Sequence, residues 1–415
     1  METREAATVQ ARFYDALPAG LATWLRGIVA EAAGAGTPLY LVGGAVRDLL
    51  LGRPPLDLDL VLEGAADVWA RALAGRHGWR VTGHPAFGTA TIHLPPEIAP
   101  PPTHPGLDFV TARRENYPQP GQLPQVTPAD LAADLARRDF TINALALALN
   151  PAAPALLDPH GGQADLDAGL IRALHAASFR DDPTRILRAA RYAARFAFAV
   201  EPQTAGWITA ALTAQTMDHL TPARVWHELA RTLGEARPAP ALALLHAWGA
   251  LTAVDPALRW DAAWAADLRC TSDPALQLTV WLYRLPAADR ARIATRLGQP
   301  ARPSDDLAAL LATAPSLVEA GPVAVVSALR PFPAPILALA RCLAAPSVAA
   351  VLDRYVNKWQ YVTPLLTGND LQALGIPPGP QYGRLLAALR NARLMGDLES
   401  REDEVAFVRA WLGER

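Results

Sequence analysis

The chain has 415 residues, 51% of them hydrophobic and 19% charged, with a formal net charge of −2. That length accommodates more than one domain and a sizeable core, and the even charge balance excludes a uniformly basic nucleic-acid coat while leaving local basic patches open. Lys358 is the only lysine, so phosphate contacts fall to arginine and backbone amides.

The N-terminal stretch carries two acids early and no apolar h-region, so it does not read as a signal peptide. No apolar run reaches the ~18 residues of a membrane span, and a soluble, cytoplasmic protein is the expectation. A short buried strand is predicted over 39–42; Gly43-Gly44 turns it into a helix over 45–51, which Gly52 stops. A second strand follows over 57–62, a helix over 65–78, and strands over 90–94 and 107–111. The Pro-rich 95–105 between the last two is a surface loop. A final helix of this part is expected over 131–149, and 155–157 leads into the segment DPHGGQADL. From Asp181 onward the sequence shows no clear strand and no fixed repeat, only helices punctuated by Pro and Gly. The pattern predicts an α+β head over 1–150 and an all-α remainder. Cys270 and Cys342 are too few and too isolated for a disulfide framework or a zinc site.

The most informative residues are Gly43, Gly44 and Arg47 with Asp57 and Asp59. Residues two apart in a strand share a face, so Asp57 and Asp59 present paired oxygens while Leu56, Leu58 and Leu60 pack behind them. Paired carboxylates suit magnesium shared with substrate phosphates. The diglycine turn admits a phosphate close to the backbone, and Arg47 lies one turn into the helix. A lone Asp-x-Asp is usually a solvated pair. Joined to the glycine turn, it points to phosphoryl or nucleotidyl transfer.

Two further clusters follow. Arg137-Arg138-Asp139 with Asn143 precedes an apolar run; it reads either as an ordinary helix start or as a guanidinium for a triphosphate with Asp139 and Asn143 at ribose hydroxyls. Downstream, Asp181-Asp182-Pro183 opens a helix on which Arg185, Arg188, Arg191 and Arg195 share one face. Such a stripe is usually solvated. Here Asp182 and Arg185 form a neighbouring acceptor and donor, and the carboxylate favours the exocyclic amines of cytosine and adenine over carbonyls.

LVGGAVRDLLLG with DLDLV, RRDFTINALAL, DPHGGQADL, DDPTRILRAARYAARFAF and TPARVWHEL, over 41–229, occur in the order seen in class II tRNA nucleotidyltransferases and bacterial poly(A) polymerases, which the chain resembles. The resemblance implies a polymerase-β-like nucleotidyltransferase head over 1–150, a helical neck with the base-selecting motif over 151–235, a body over 236–350 and a tRNA-binding tail over 351–415. It implies that Asp57 and Asp59 bind Mg2+ and activate the RNA 3′-hydroxyl, and that Gly43, Gly44 and Arg47 contact the triphosphate or metals. It further implies that Arg138 binds phosphate, with Asp139 and Asn143 near the ribose. Asp182 and Arg185 are similar to the protein template that selects C or A, supported by Arg188 and Arg191. Arg224 and Glu228 match a motif that braces the template helix, and Asp108 is a further carboxylate near the metals. Partners implied are tRNA, CTP and ATP.

The Pro-rich stretch 112–139 resembles a subset that includes CC-adding and A-adding enzymes; CCA, CC and A addition all stay open. A bacterial poly(A) polymerase is the alternative. Against it, the segment NALALAL lacks paired tyrosines and the C-terminus has no basic extension. Intact Asp57 and Asp59 argue against a catalytically silent tRNA-binding protein.

Overall fold

The computed structural model describes residues 2–55, 57–84, 88–99, 106–149 and 154–413, in two compact units, Met1–Arg259 and Trp260–Arg415. The first unit opens with helices α1 (Glu2–Asp15) and α2 (Ala19–Gly34), the latter burying Leu21, Leu25, Ile28 and Ala32 at helical spacing. Strand β1 (Tyr40–Val42) passes through Gly43 into α3 (Gly44–Leu50), followed by β2 (Asp59–Leu62) and α4 (Ala66–His77). Strands β3 (Val81–His84), β4 (Thr89–His93) and β5 (Gly106–Thr111) come next. A separate hairpin joins β6 (Arg113–Asn116) to β7 (Gln125–Pro128). Helix α5 (Leu131–Ala136), a 3-10 turn at Thr141–Asn143, β8 (Ala146–Ala148) and β9 (Ala155–Leu157) complete the head.

The main sheet has the order β3-β4-β5-β2-β1-β8-β9. Only β2 and β5 run parallel, and that register sets Asp59 beside Asp108. Leu41, Leu60, Phe109 and Leu147 are buried within the sheet and fix its faces. Beyond it lie α6 (Gly162–Ala168), β10 (Leu170–Ile171), α7 (Ser178–Asp181), α8 (Thr184–Phe196), β11 (Ala199–Val200), α9 (Pro202–Thr213) and α10 (Pro222–Leu233).

Several expectations are corrected here. The helix predicted over 131–149 is α5, a turn and a strand. Leu145, Ala146 and Leu147 are all buried, because β8 lies between β1 and β9 with core on both faces. A short run that is apolar on every side carries no period to tell helix from strand. The strand expected from residue 57 begins at Asp59. A strand also exists after Asp181, since β11 pairs in parallel with β10. The edge strand β3 and the β6–β7 hairpin had no counterpart in the prediction. Leu56 and residues 100–105 of the Pro-rich loop lie outside the described residues.

The second unit is helical throughout its described residues, from Pro274–Leu282 to Arg401–Gly413. Near its end Leu366, Leu371, Ile376, Leu385, Leu389 and Val408 form one apolar cluster. The buried Glu404 carboxylate accepts from the amides of Leu365 and Leu366. Cys270 and Cys342, expected to stand apart, are joined in a disulfide with Cα atoms 5.9 Å apart across a separation of 72 residues. Tertiary folding brings together what the sequence separates. A loop of that length restricts the unfolded chain, so Cys270→Ser is expected to destabilise this unit by up to about 4 kcal/mol. Urea melts with and without reductant check it: the wild type should fall to the variant's midpoint when reduced. No single helix among the described residues is long and apolar enough to cross a membrane.

Candidate active site

A cleft of about 1090 Å³ opens in the first unit. Asp57, Asp59 and Asp108 line it, as do Gly44, Arg47, Arg138, Asp139 and Asn143; Asp182, Arg185 and Arg188 line it too. The expected residues therefore come together, except Gly43 and Arg191, which stand behind the lining.

Asp57 is exposed on the bend before β2, while Asp59 and Asp108 are half-buried side by side on β2 and β5. Thr91 on β4 donates to Asp108 at 2.5 Å. Burial pushes the Asp59 carboxyl above its usual range; Asp108 and Asp57 add to the push and Arg138 opposes it. Crowded carboxylates of this kind are relieved by a divalent cation. Among the described residues no group of three or more acidic, His or Cys side chains is gathered for a metal by itself.

Gly43 has φ +68°, and a Cβ there would fall 2.5 Å from Nη1 of Arg138. Glycine is thus what lets Arg138 pass over the turn. Arg138 itself is held by an ion pair to buried Asp134 at 2.8 Å. Its buried Nε has no partner among the described residues. Arg47 is also buried; it pairs with Asp48 at 2.8 Å and donates to Oδ1 of Asn143 at 2.6 Å.

Asn143 in turn donates to Oδ1 of Asp139 at 2.9 Å, and Arg188 donates to Oδ2 at 2.8 Å through Nε. Burial would raise the Asp139 pKa, but Arg188, the Asn143 amide and Arg185 overcome it and hold the carboxyl down at about 2. The arginine stripe of α8 continues inward. Arg191 pairs with Glu228 of α10 at 2.7 Å, and Arg195 donates to Glu235 at 3.0 Å. Arg185 and Arg191 are only 5% and 3% exposed. From Arg188 to Arg195 the stripe is a ladder of ion pairs, buried at Arg191 and open to solvent at Arg195, because charges removed from water persist only when paired.

The side chains of Asp182 and Arg185 do not bond one another; the Arg185 amide donates to the Asp182 carbonyl at 3.1 Å. Arg185 donates to Oγ of Ser178 at 2.6 Å and to the Arg137 carbonyl at 2.8 Å. Arg224 takes the expected place beside Asp182, donating to Oδ1 at 2.7 Å, and its other Nη reaches the Gly121 carbonyl. Thr184 also donates to Oδ1, from its amide at 3.0 Å and its hydroxyl at 2.6 Å. Every hydrogen bond to this carboxylate among the described residues uses Oδ1. Gly121 has φ +70°, and a Cβ there would fall 2.7 Å from Cβ of His219, so the loop after β6 lies tightly against the turn that precedes α10.

Sequence reasoning missed Glu115 and Tyr117. Glu115 accepts from Arg137 at 2.8 Å and from the Tyr117 hydroxyl at 2.8 Å, and all three line the cleft. Burial raises the Tyr117 pKa, with Arg185 opposing the rise. The polar run Arg113-Arg114-Glu115-Asn116 was the available signal, obscured by the prolines that follow.

Residues 39–172 match the family model described as the poly A polymerase head domain. The chain is 38% identical to a CC-adding tRNA nucleotidyltransferase of Deinococcus radiodurans, with 94% of this chain and 93% of that one covered. It is 32% identical to an A-adding tRNA nucleotidyltransferase of Halalkalibacterium halodurans, covering 91% and 89%. Among solved structures, a CCA-adding enzyme in its apo form II matches with TM-score 0.76 at 27% identity, covering 93% of this chain and 95% of that one. The Thermotoga maritima CCA-adding enzyme complexed with tRNA matches with TM-score 0.73 at 25% identity, covering 97% and 98%.

Proposed function

The chain belongs to the tRNA nucleotidyltransferase family, and from that premise we propose that it is a cytidine-adding enzyme acting at the cleft of its first unit. It adds nucleotides to the 3′ end of tRNA without a nucleic-acid template. The observation that carries the site is the parallel register of Asp59 and Asp108, with Asp57 alongside, in a cleft also lined by Arg47, Arg138, Arg185 and Arg188. The relative of Deinococcus radiodurans, matched over nearly its whole length, supports cytidine as the nucleotide.

In this reading the RNA 3′-hydroxyl oxygen bonds to the α-phosphorus of CTP as the bond to the bridging oxygen breaks and pyrophosphate leaves. Asp57 and Asp59 would hold magnesium, which would supply activation of the hydroxyl and neutralisation of charge on the leaving group. Arg138, held by Asp134 where it lines the cleft, supplies the guanidinium for the triphosphate. Asp139 and Asn143 set the ribose side, with Arg47 and Arg188 fixing their orientation. Asp182 accepts the N4 amine of cytosine on Oδ2, because Thr184 and Arg224 occupy Oδ1 and hold the carboxylate plane.

Purified protein with magnesium is offered CTP, ATP or both. The acceptors are tRNA ending at the discriminator base, tRNA ending in CC, and an unstructured oligonucleotide. The expected products are two added cytidines on the first acceptor and no adenosine on the second. The A-adding relative supports the second reading, and adenosine joined to the CC-ended tRNA would establish it in place of the first. Long A tails on the oligonucleotide would favour a poly(A) polymerase.

A further inference from the structure

We propose that the ring of Tyr192 is a positioning element for nucleotide binding, a shared cation–π support that holds the arginines of the cleft in place. This rests on the reading that nucleotide transfer occurs in that cleft. Tyr192 lines the cleft and is 9% exposed. The guanidinium carbons of Arg191, Arg47, Arg188 and Arg195 lie 4.9, 5.3, 5.8 and 5.8 Å from its ring centroid. Three of them come from α8 itself, one residue before, four before and three after the tyrosine. Arg47 comes from α3, and Phe196 covers it as well, at 4.7 Å.

An arginine has two ways to be held. Its N–H edge takes carboxylates, amides or phosphates, and its flat carbon takes an aromatic face. Here the edges go to Asn143, Asp139, Glu228 and Glu235, and one ring supports the carbons. Support through the ring consumes no donor, so the edges keep their direction towards the residues that bind nucleotide. It also places negative quadrupole among four like charges that would otherwise repel one another. The ring further packs edge-on against Phe140, centroids 5.9 Å apart, which carries the support to the segment bearing Asp139 and Asn143. No hydrogen bond from the Tyr192 hydroxyl is found among the described residues. The aromatic ring is the part of Tyr192 that the four guanidinium groups meet.

The test compares Tyr192→Phe and Tyr192→Leu in the full chain by steady-state cytidine addition to tRNA and by equilibrium dialysis of CTP. Leu is expected to raise KM for CTP about tenfold, the size of one partly desolvated cation–π contact, with a smaller loss in kcat and with tRNA affinity kept. Phe is expected to restore KM to within about threefold of wild type. A Leu variant that binds CTP like wild type overturns the proposal, and so does a Phe variant as impaired as Leu. Should Leu fail to fold, as judged by its thermal melt, Tyr192→Met replaces it with the same expected outcomes. A wild type that binds CTP but transfers nothing would overturn the activity reading, while dialysis of the variants still decides the role of the ring.

Discussion

Asp59→Ala is expected to reduce nucleotidyl transfer by at least about 10³-fold, the loss that follows from removing several kcal/mol of transition-state charge stabilisation. Asp57→Ala is expected to do the same, and in both variants tRNA affinity should stay within about twofold. The two positions are not equivalent structurally. Asp57 is exposed, whereas Asp59 is half-buried against Asp108 and its carboxyl is pushed up. A carboxylate whose pKa is raised in the folded state works against folding at neutral pH. Asp59→Asn should therefore melt at the same temperature as wild type or slightly higher in metal-free buffer while losing transfer, the sign of a residue kept for chemistry. Single-turnover CTP addition and filter binding of tRNA measure the two effects. Transfer retained in both alanine variants would remove the paired-carboxylate assignment.

Asp139→Ala is expected to destabilise the first unit by about 2–3 kcal/mol, because it takes the close partner from the part-buried Arg188 guanidinium, leaving Glu228 at 3.7 Å, and leaves the Asn143 amide without its acceptor. The wild-type carboxyl carries a pH signature. Its pKa is held down at about 2 in the fold against an ordinary 3.8, so it stabilises the fold above about pH 4 and loses that contribution as pH falls towards 2. The part lost is about 2 kcal/mol. Asp139→Asn removes the titrating group, so the difference in urea stability between wild type and this variant should shrink by that amount between pH 5 and pH 2. A difference that stays constant over that window would show that the ion pair with Arg188 does not govern it.

The legible parts of the site were those in which chemistry follows from residue type at short spacing. Gly43-Gly44, Asp57 with Asp59, and Arg138-Asp139 with Asn143 each lie within a few residues, and a turn or a strand suffices to aim them. The second arginine cluster was legible as a stripe but not as a ladder, since its acidic partners arrive from distant segments: Asp139 from the turn after α5, Glu228 from α10 and Glu235 just beyond it. Arg224 was legible as a brace, yet its bond to Asp182 and its reach to Gly121 required both segments in place. Glu115 and Tyr117 were missed because their hairpin is stabilised by Arg137 and Asp134 rather than by any apolar period.

The sequence by itself determined the chemistry of the site and the order of its parts, because those depend on residue type and on contacts made within one turn or one strand. It also determined the division into an α+β head and helices, through the change of hydrophobic period along the chain. Tertiary structure decided the rest. Whether 143–149 is helix or strand depended on burial from both sides, which a uniformly apolar segment does not encode. Whether the arginines of α8 face water or acids depended on which helix packs against them. The third carboxylate stands beside Asp59 only because β2 and β5 run parallel in a particular register, and the union of Cys270 with Cys342 depended on where 72 intervening steps of chain return. Pairing of charges and of strands is a property of the folded surface that each segment meets, and no window of sequence contains both partners.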